Sequence, residues 1–160
     1  MTHDVTDPLV TIGIPAYNRA ECLKEALNAL LAQSYTNLEI LVSDDASSDH
    51  TLQVCEEYAR KDSRIRFHHQ KHRLGMAGNH NFLLKKAQGQ YFNWGDDDDT
   101  WHPDFVKTLA GLLRAYPTAT SAMCRAQHVV RGVPLPLGEP KPRDNDRSPY
   151  DYLLHYATVG

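Results

Sequence analysis

The sequence predicts an α/β fold, a single three-layer domain with a mostly parallel sheet and flanking helices. Short apolar, β-rich runs alternate with helical stretches of ten or more residues, which is the pattern of βαβ units. The 160 residues suffice for one domain, and 41% hydrophobic against 23% charged residues allows a buried core. Three polar clusters also follow predicted strands, and ligands bind at that edge of an open parallel sheet.

The chain begins with a predicted strand–helix unit. Residues 9–14, "LVTIGI", form an apolar run that Pro15 is expected to end. After the turn "PAYNR", residues 20–33 show helical periodicity. The apolar face of this helix comprises Cys22, Leu23, Ala26, Leu27, Leu30 and Leu31.

The second unit repeats the pattern. Residues 38–43, "LEILVS", predict a buried strand, and "DDASSD" follows it. Ser48 or Asp49 can cap the next helix. The predicted core side of that helix is Leu52, Cys55 and either Tyr58 or Ala59, and "RIRFHH" at 64–69 alternates as a third strand.

The remaining elements are a helix at 76–89 with Gly89 as its C-cap, a strand "YFNW" at 91–94 and a helix at 102–117. A fifth strand is expected within 120–130. Five prolines then mark a loop or linker, and a short helix, "PYDYLLHYA", follows. We therefore predict one domain at 1–131, followed at 132–160 by a Pro-rich loop and short helix. The prolines are Pro134, Pro136, Pro140, Pro142 and Pro149.

Charge and cysteine content exclude several classes of protein. A net charge of −3 argues against nucleic acid or a membrane surface as partner. Residues 60–86 hold eight Lys or Arg against one acid, which fits either a solvated face or a surface for an anionic ligand. Three cysteines without metal-like spacing are typical of a reducing compartment. With neither a leader nor an apolar run of ~18 residues visible, we expect a cytoplasmic protein, alternatively peripheral to the inner face of the membrane.

The segment "GDDDDTW" places four adjacent carboxylates after the fourth strand. Adjacent carboxylates repel one another unless a cation lies among them. No Gly-rich phosphate loop follows the first strand, so a divalent cation is the other way to hold a diphosphate. Mg²⁺ and Mn²⁺ prefer oxygen ligands, and Mg²⁺ often uses one or two carboxylates together with substrate phosphates. The pattern therefore favours Mn²⁺ or Mg²⁺ with a nucleotide diphosphate.

Simpler interpretations exist for each cluster. "GDDDDT" could be a solvated loop, "DDASSD" a helix cap, and Tyr17 a core residue. An EF-hand is excluded because a loop starting at Asp96 lacks the required Gly and Glu. His68, His69 and His72 fit no standard zinc spacing. Three polar clusters at one edge of the sheet favour the functional interpretation.

The motifs P-x-Y-N, D-D-x-S-x-D and D-x-D-D before W-x-P occur together over about residues 9–106. In this combination the sequence resembles the N-terminal, donor-binding part of family 2 glycosyltransferases, which have the A-type nucleotide-diphospho-sugar fold. The resemblance implies that residues 1–131 are the nucleotide-sugar-binding glycosyltransferase domain and that residues 132–160 are a possible start of the acceptor part. The resemblance implies that Pro15 and Tyr17 flank the base and that Asp45 accepts the uracil N3–H, while Asp44 supports the ribose or the loop.

The same resemblance assigns the carboxylates after the fourth strand. Asp98 matches the metal-binding Asp, and Asp96 and Asp97 match positions near the ribose and the metal, so Asp96 and Asp98 are the metal-ligand candidates. His80 stands where the family has an Arg, and Arg73 is a candidate substitute for contacting the diphosphate.

The expected function is metal-assisted, inverting transfer of a sugar from a nucleotide-diphosphate donor, UDP-sugar above all, to an acceptor hydroxyl. The acceptor would be a saccharide or lipid-linked molecule in polysaccharide or glycoconjugate synthesis. The family's catalytic base lies downstream of D-x-D, and the acids after Asp104 offer no convincing match, so the acceptor half is expected to be missing. The alternatives are a nucleotide-sugar-binding fragment without transfer activity and a nucleotidyltransferase. Those acids are Glu139, Asp144, Asp146 and Asp151.

Overall fold

The structure, a computed structural model, describes residues 7–97, 99, 101–124, 129–130 and 133–134. The main sheet contains β1 (Val10–Ala16), β2 (Leu38–Asp44), β3 (Ile65–His69) and β4 (Tyr91–Trp94). The helices are α1 (Ala20–Leu31), α2 (Thr51–Lys61), α3 (Gly75–Lys86) and α4 (Phe105–Ala115). The four strands are parallel in the order β3-β2-β1-β4. The predicted α/β fold with a parallel sheet and flanking helices is confirmed.

Strand β1 is longer than the sequence predicts, because Pro15 does not end it. Pro15 pairs with Ser43 of β2, and the pairing continues to Ala16 and Asp44. On the other side of β1, the pairing with β4 stops at Gly13. Beyond Gly13 the strand has a partner on one side only, and proline is tolerated where a ladder bond is not needed.

The core lies between the sheet and its helices. Strand β2 is buried throughout, as an apolar run in a parallel sheet should be. Helix α1 buries Leu23, Ala26, Leu27 and Leu30 as predicted, whereas Cys22 and Leu31 are half-buried and Ala20 is buried instead.

The buried face of helix α2 differs slightly from the predicted one. Leu52 is half-buried, and the buried positions are Thr51, Val54, Cys55 and Tyr58. Tyr58 donates its hydroxyl to Asn28 Oδ1 at 2.9 Å, which joins α2 to α1. Burial also raises the pKa of the Cys55 thiol to about 12, so this thiol is an inert core group.

Helix α3 ends earlier than predicted. Its last residue is Lys86 and its C-cap is Ala87, so Gly89 is not the cap. A Cβ at Gly89 would lie 2.5 Å from the backbone nitrogen of Thr11. Gly89 is therefore needed for the close approach of this loop to β1.

A fifth strand was expected within 120–130. Residues Val129–Val130 form β5, which pairs antiparallel with β6 (Val133–Pro134) in a separate two-stranded sheet. The fifth strand therefore does not extend the parallel sheet. The predicted helix after Pro149 lies outside the described residues.

Contacts divide the chain into two compact units, residues 1–107 and 108–160. The parallel sheet and α1 to α3 belong to the first unit. The domain boundary predicted after residue 131 stays a prediction. Within the part of the chain that the structure describes, no helix is long and apolar enough to cross a membrane.

Candidate functional site

A cavity of about 320 Å³ lies past the carboxyl ends of β1, β2 and β4. All three polar clusters contribute to it, as the topology of a parallel sheet requires. The cavity contains five of the six residues predicted for the site, and the sixth, Asp98, lies outside the described residues. The lining residues are Pro15, Ala16, Tyr17, Arg19, Asp45, Arg73, Met76, Asn79, His80, Asp96 and Asp97.

Asp45 joins the end of β2 to the start of α3. Its side chain is almost fully buried, and the backbone amides of Leu74 and Gly75 donate to its two carboxylate oxygens at 2.5 and 3.0 Å. A carboxylate at a helix N-terminus satisfies amides that have no partner within the helix and interacts favourably with the helix dipole. A carboxylate offers about four lone-pair sites, so Asp45 can accept further hydrogen bonds.

Tyr17 and Arg73 cover the cavity next to Asp45. The Arg73 guanidinium lies 3.8 Å from the centre of the Tyr17 ring, which is a cation–π contact. Arg73 Nε also lies 3.8 Å from an Asp45 carboxylate oxygen. That distance makes an ion pair and is too long for a direct hydrogen bond.

The loops after β1 and β2 are joined by hydrogen bonds. The Asn18 amide donates to the Ser47 hydroxyl at 2.9 Å, and the Ser48 amide donates to Asn18 Oδ1 at 2.8 Å. Asn18 has a φ of 54° and Ala46 a φ of 59°. Left-handed backbone at a non-glycine residue has to be stabilised by its surroundings, and these reciprocal bonds do so at Asn18.

Asp49 serves two helices at once. It accepts from the Thr51 amide at 2.9 Å and the Thr51 hydroxyl at 2.5 Å, and from the Ala20 amide of α1 at 3.2 Å. Burial alone would raise the pKa of the Asp49 carboxyl, but the hydrogen bonds from Thr51 and Ala20 outweigh it and lower that pKa.

Asp49→Ala is expected to lower the free energy of unfolding by about 0.5–2 kcal/mol at pH 7, the usual effect of losing a side chain that accepts from the first amides of a helix. Because the folded-state pKa is depressed, this stabilisation is fully present above the ordinary carboxyl pKa of 3.8 and disappears as the pH falls through the folded-state value. Urea denaturation of both proteins between pH 7 and pH 3 measures it. A destabilisation that is unchanged at pH 3, or that Glu56→Ala on the exposed side of α2 reproduces, would contradict this role.

Asp44 braces the loop after β2. It is fully buried, and one carboxylate oxygen accepts from the amide and the hydroxyl of Ser47. The other oxygen lies 2.7 Å from His69 Nδ1. These contacts agree with the loop role among the two roles considered for Asp44.

Two of the acids after β4, Asp96 and Asp97, line the cavity on the other side of β1 from Asp45. Asp96 is exposed, and Asp97 lies 3.5 Å from Arg19 Nε. No group of three or more His, Cys, Asp or Glu side chains is arranged to hold a metal within the described ranges, which exclude Asp98.

Two of the three histidines near β3 have other contacts. His69 pairs with Asp44, and His68 packs edge-on against Phe82 at 5.0 Å between ring centroids. Burial and the charges of Lys86 and Arg66 lower the pKa of His68. These contacts agree with the absence of a standard zinc spacing in the sequence.

Asn79 was missed by the sequence analysis. It is almost fully buried on α3, and its Nδ2 donates to the Ser43 carbonyl at 2.9 Å. Its Oδ1 is buried and accepts from no group in the described part of the chain. The only sequence signal was a polar residue on the sheet-facing side of a helix. A buried acceptor at a cavity wall can take a hydrogen bond from a ligand.

A parallel α/β sheet with an acid-rimmed cavity past the ends of β1, β2 and β4 is the arrangement of A-type nucleotide-diphospho-sugar transferases. The chain belongs to glycosyl transferase family 2, whose family model matches residues 11–155.

Relatives and solved structures agree with this assignment. Glycosyltransferase GlyG of Streptococcus pneumoniae is 33% identical over 101 residues, covering 63% of this chain and 34% of the relative. An uncharacterized glycosyltransferase of Haemophilus influenzae is 35% identical over 106 residues, or 66% of this chain and 33% of the relative. The chain thus spans about a third of the length of these relatives.

Two solved structures contain a nucleotide-sugar. A crystal structure of S. aureus TarS 1–349 in complex with UDP-GlcNAc matches with a TM-score of 0.71 and 26% identity, covering 81% of this chain and 37% of that one. The mannosyltransferase PcManGT from Pyrobaculum calidifontis, in complex with GDP-Man and Mn²⁺, matches with a TM-score of 0.63 and 26% identity, covering 74% and 34%.

Proposed function

We propose that this chain binds a nucleotide-diphospho-sugar, preferably a UDP-sugar, and that the protein transfers the sugar to an acceptor hydroxyl. The observation that carries the proposal is one cavity lined by Tyr17 and Asp45, which follow β1 and β2, and by Asp96 and Asp97, which follow β4 on the other side of β1. An aromatic ring beside a buried acceptor suits a base, and carboxylates suit a diphosphate with its cation. The nucleotide-sugars in the TarS and PcManGT structures support this class of ligand.

The base end of the cavity is formed by Pro15, Tyr17 and Asp45. We propose that the base lies against Tyr17 and that the Asp45 carboxylate accepts the uracil N3–H. An ionised carboxylate can only accept, so it favours a ring that carries an N–H there. The hydrogen bonds from the Leu74 and Gly75 amides fix the position of this carboxylate.

The other end of the cavity fits Mn²⁺ or Mg²⁺ in its chemistry. The exposed Asp96 carboxylate is two residues past the end of β4, and Asp98 is two residues further along the chain. Mg²⁺ sites in such enzymes use one or two carboxylates and take other ligands from phosphates and water, so a third protein carboxylate is not required. When bound, the cation would stabilise the charge on the leaving diphosphate. Asp97, paired with Arg19, is proposed to lie near the ribose and the metal.

Transfer also needs a base that removes the proton of the acceptor hydroxyl, with inversion at the anomeric carbon as the proposed outcome. Such a base is typically worth ~10²–10⁴ in rate. The base is not identified among the described residues, and the acceptor is proposed only as a saccharide or a lipid-linked molecule.

Two measurements on the same protein test the function. Calorimetry with UDP-GlcNAc, UDP and GDP in the presence of Mn²⁺ should show binding of at least one nucleotide, and radiolabelled donor should show transfer to saccharide acceptors. Binding without transfer would support a binding module without transfer activity. Failure of all three nucleotides to bind would contradict the proposal.

A further inference from the structure

Arg73 occupies the part of the cavity that the proposed function assigns to the base. Its guanidinium stacks on the Tyr17 ring at 3.8 Å and pairs with the Asp45 carboxylate at 3.8 Å. A guanidinium is planar, stacks on aromatic faces and carries N–H donors on its edge. It therefore offers to Tyr17 and Asp45 the same two contacts that a uracil ring would offer.

Arg73 and a base cannot make these contacts together. A ring that lies against this face of Tyr17 and donates to Asp45 would overlap the guanidinium, so Arg73 has to move. Displacing Arg73 costs little free energy, because its side chain is 61% exposed and loses few packing contacts. At such an exposed site, each of the two contacts should lower the affinity of a competing base by a factor of about two to five.

The diphosphate end of the same cavity supplies a new partner for the displaced side chain. Asp96 and Asp97 line that end, and Arg73 lines the cavity with them. Arginine forms strong, paired hydrogen bonds with phosphate oxygens. A nucleoside without phosphates displaces Arg73 and offers its guanidinium no new partner. A nucleoside diphosphate offers phosphate oxygens, which are a stronger partner than the contacts that Arg73 has lost.

We infer that Arg73 is a specificity residue that covers the base position before a nucleotide binds and then contacts the diphosphate. The inference rests on the proposed function and deepens it. Arg73 thereby selects nucleoside diphosphates over nucleosides, because only a ligand that carries phosphates compensates for its displacement.

The test compares uridine and UDP, and in parallel guanosine and GDP, by calorimetry at constant Mn²⁺ with wild type and Arg73→Met. Uridine should bind about four- to 25-fold more tightly to Arg73→Met, since the stacking and the ion pair no longer compete with it. UDP should bind roughly tenfold more weakly, because a charge-assisted contact is lost. The two ligands thus change in opposite directions, which a folding defect would not produce.

Two further variants complete the design. Arg73→Lys keeps the charge without the planar group, so it should retain most of the UDP affinity while uridine binds more tightly. Arg60→Met removes the same charge from the exposed end of α2 and should change both affinities less than about twofold. Uridine and UDP weakening together in Arg73→Met, or neither changing, would overturn the inference while the proposed function stands. A wild type that binds neither nucleoside diphosphate would contradict the proposed function itself.

Discussion

Asp98→Asn is expected to lower sugar transfer by roughly 100- to 1,000-fold and to abolish most of the metal dependence of nucleotide binding. A neutral amide is a poorer ligand than a carboxylate for a hard cation such as Mg²⁺. Metal stabilisation of a leaving diphosphate is worth several kcal/mol, and each 1.36 kcal/mol is about tenfold in rate. The measurement is UDP binding by calorimetry with Mn²⁺ and with a chelator, together with turnover of labelled donor by the protein as it exists.

The control for this experiment is an acid outside the cavity. Glu56 is exposed on α2, and Glu56→Gln removes one negative charge there. Its binding and turnover should match wild type. If UDP binds Asp98→Asn and wild type equally well, and Mn²⁺ changes neither affinity, Asp98 is not a metal ligand and the interpretation of "GDDDDT" as a solvated loop is favoured.

The sequence predicted the fold because its elements are locally encoded. Apolar runs without polar interruption, such as β2, form buried parallel strands, and the helical periodicity of α1 identified Leu23, Ala26, Leu27 and Leu30 as core. The predictions were wrong at positions whose structure depends on contacts with a neighbouring strand. Pro15 stays in β1 because β4 has already ended beside it, and Gly89 is required by the backbone of Thr11.

The residues that line the cavity were easier to predict from the sequence than the contacts between them. Parallel topology alone brings the ends of β1, β2 and β4 to one edge, so the three clusters had to meet. The pairing of Asp44 with His69 depends on the register of β2 against β3, which places these two residues opposite each other. No local pattern encodes that register, nor the stacking of Arg73 on Tyr17 across 56 positions.

The two adjacent acids in "DDASSD" are both buried but have different partners. Asp44 is the last residue of β2, and its two carboxylate oxygens interact with Ser47 and His69. Asp45, one residue later, lies at the cavity, and its partners are two backbone amides and an exposed arginine. Only Asp45 can therefore exchange a partner for a ligand, and that exchange gives the second prediction.

Asp45→Asn is expected to weaken UDP binding by about 1.5–3 kcal/mol, the usual value of a hydrogen bond to a charged group. The variant keeps the size of the side chain, and its one carbonyl oxygen can still accept from Leu74 or Gly75. N3-methyluridine diphosphate isolates the base contact, because it lacks the donor at N3. Methylation should weaken binding to wild type by a similar amount and should have much less effect on Asp45→Asn.

This mutant-and-ligand cycle separates recognition of the base from support of α3. If Asp45 acts only by holding the Leu74 and Gly75 amides, the variant weakens UDP and its N3-methyl analogue equally, and methylation costs the same in both proteins. Ribose 5-phosphate, which has no base, provides the second comparison, and its affinity should barely change if Asp45 contacts the base. Equal weakening of all three ligands would assign Asp45 to the structure of α3. The acceptor for the base would then have to be another group in the cavity wall, and the next to test is Asn79 Oδ1, which accepts no hydrogen bond from the residues that the structure describes.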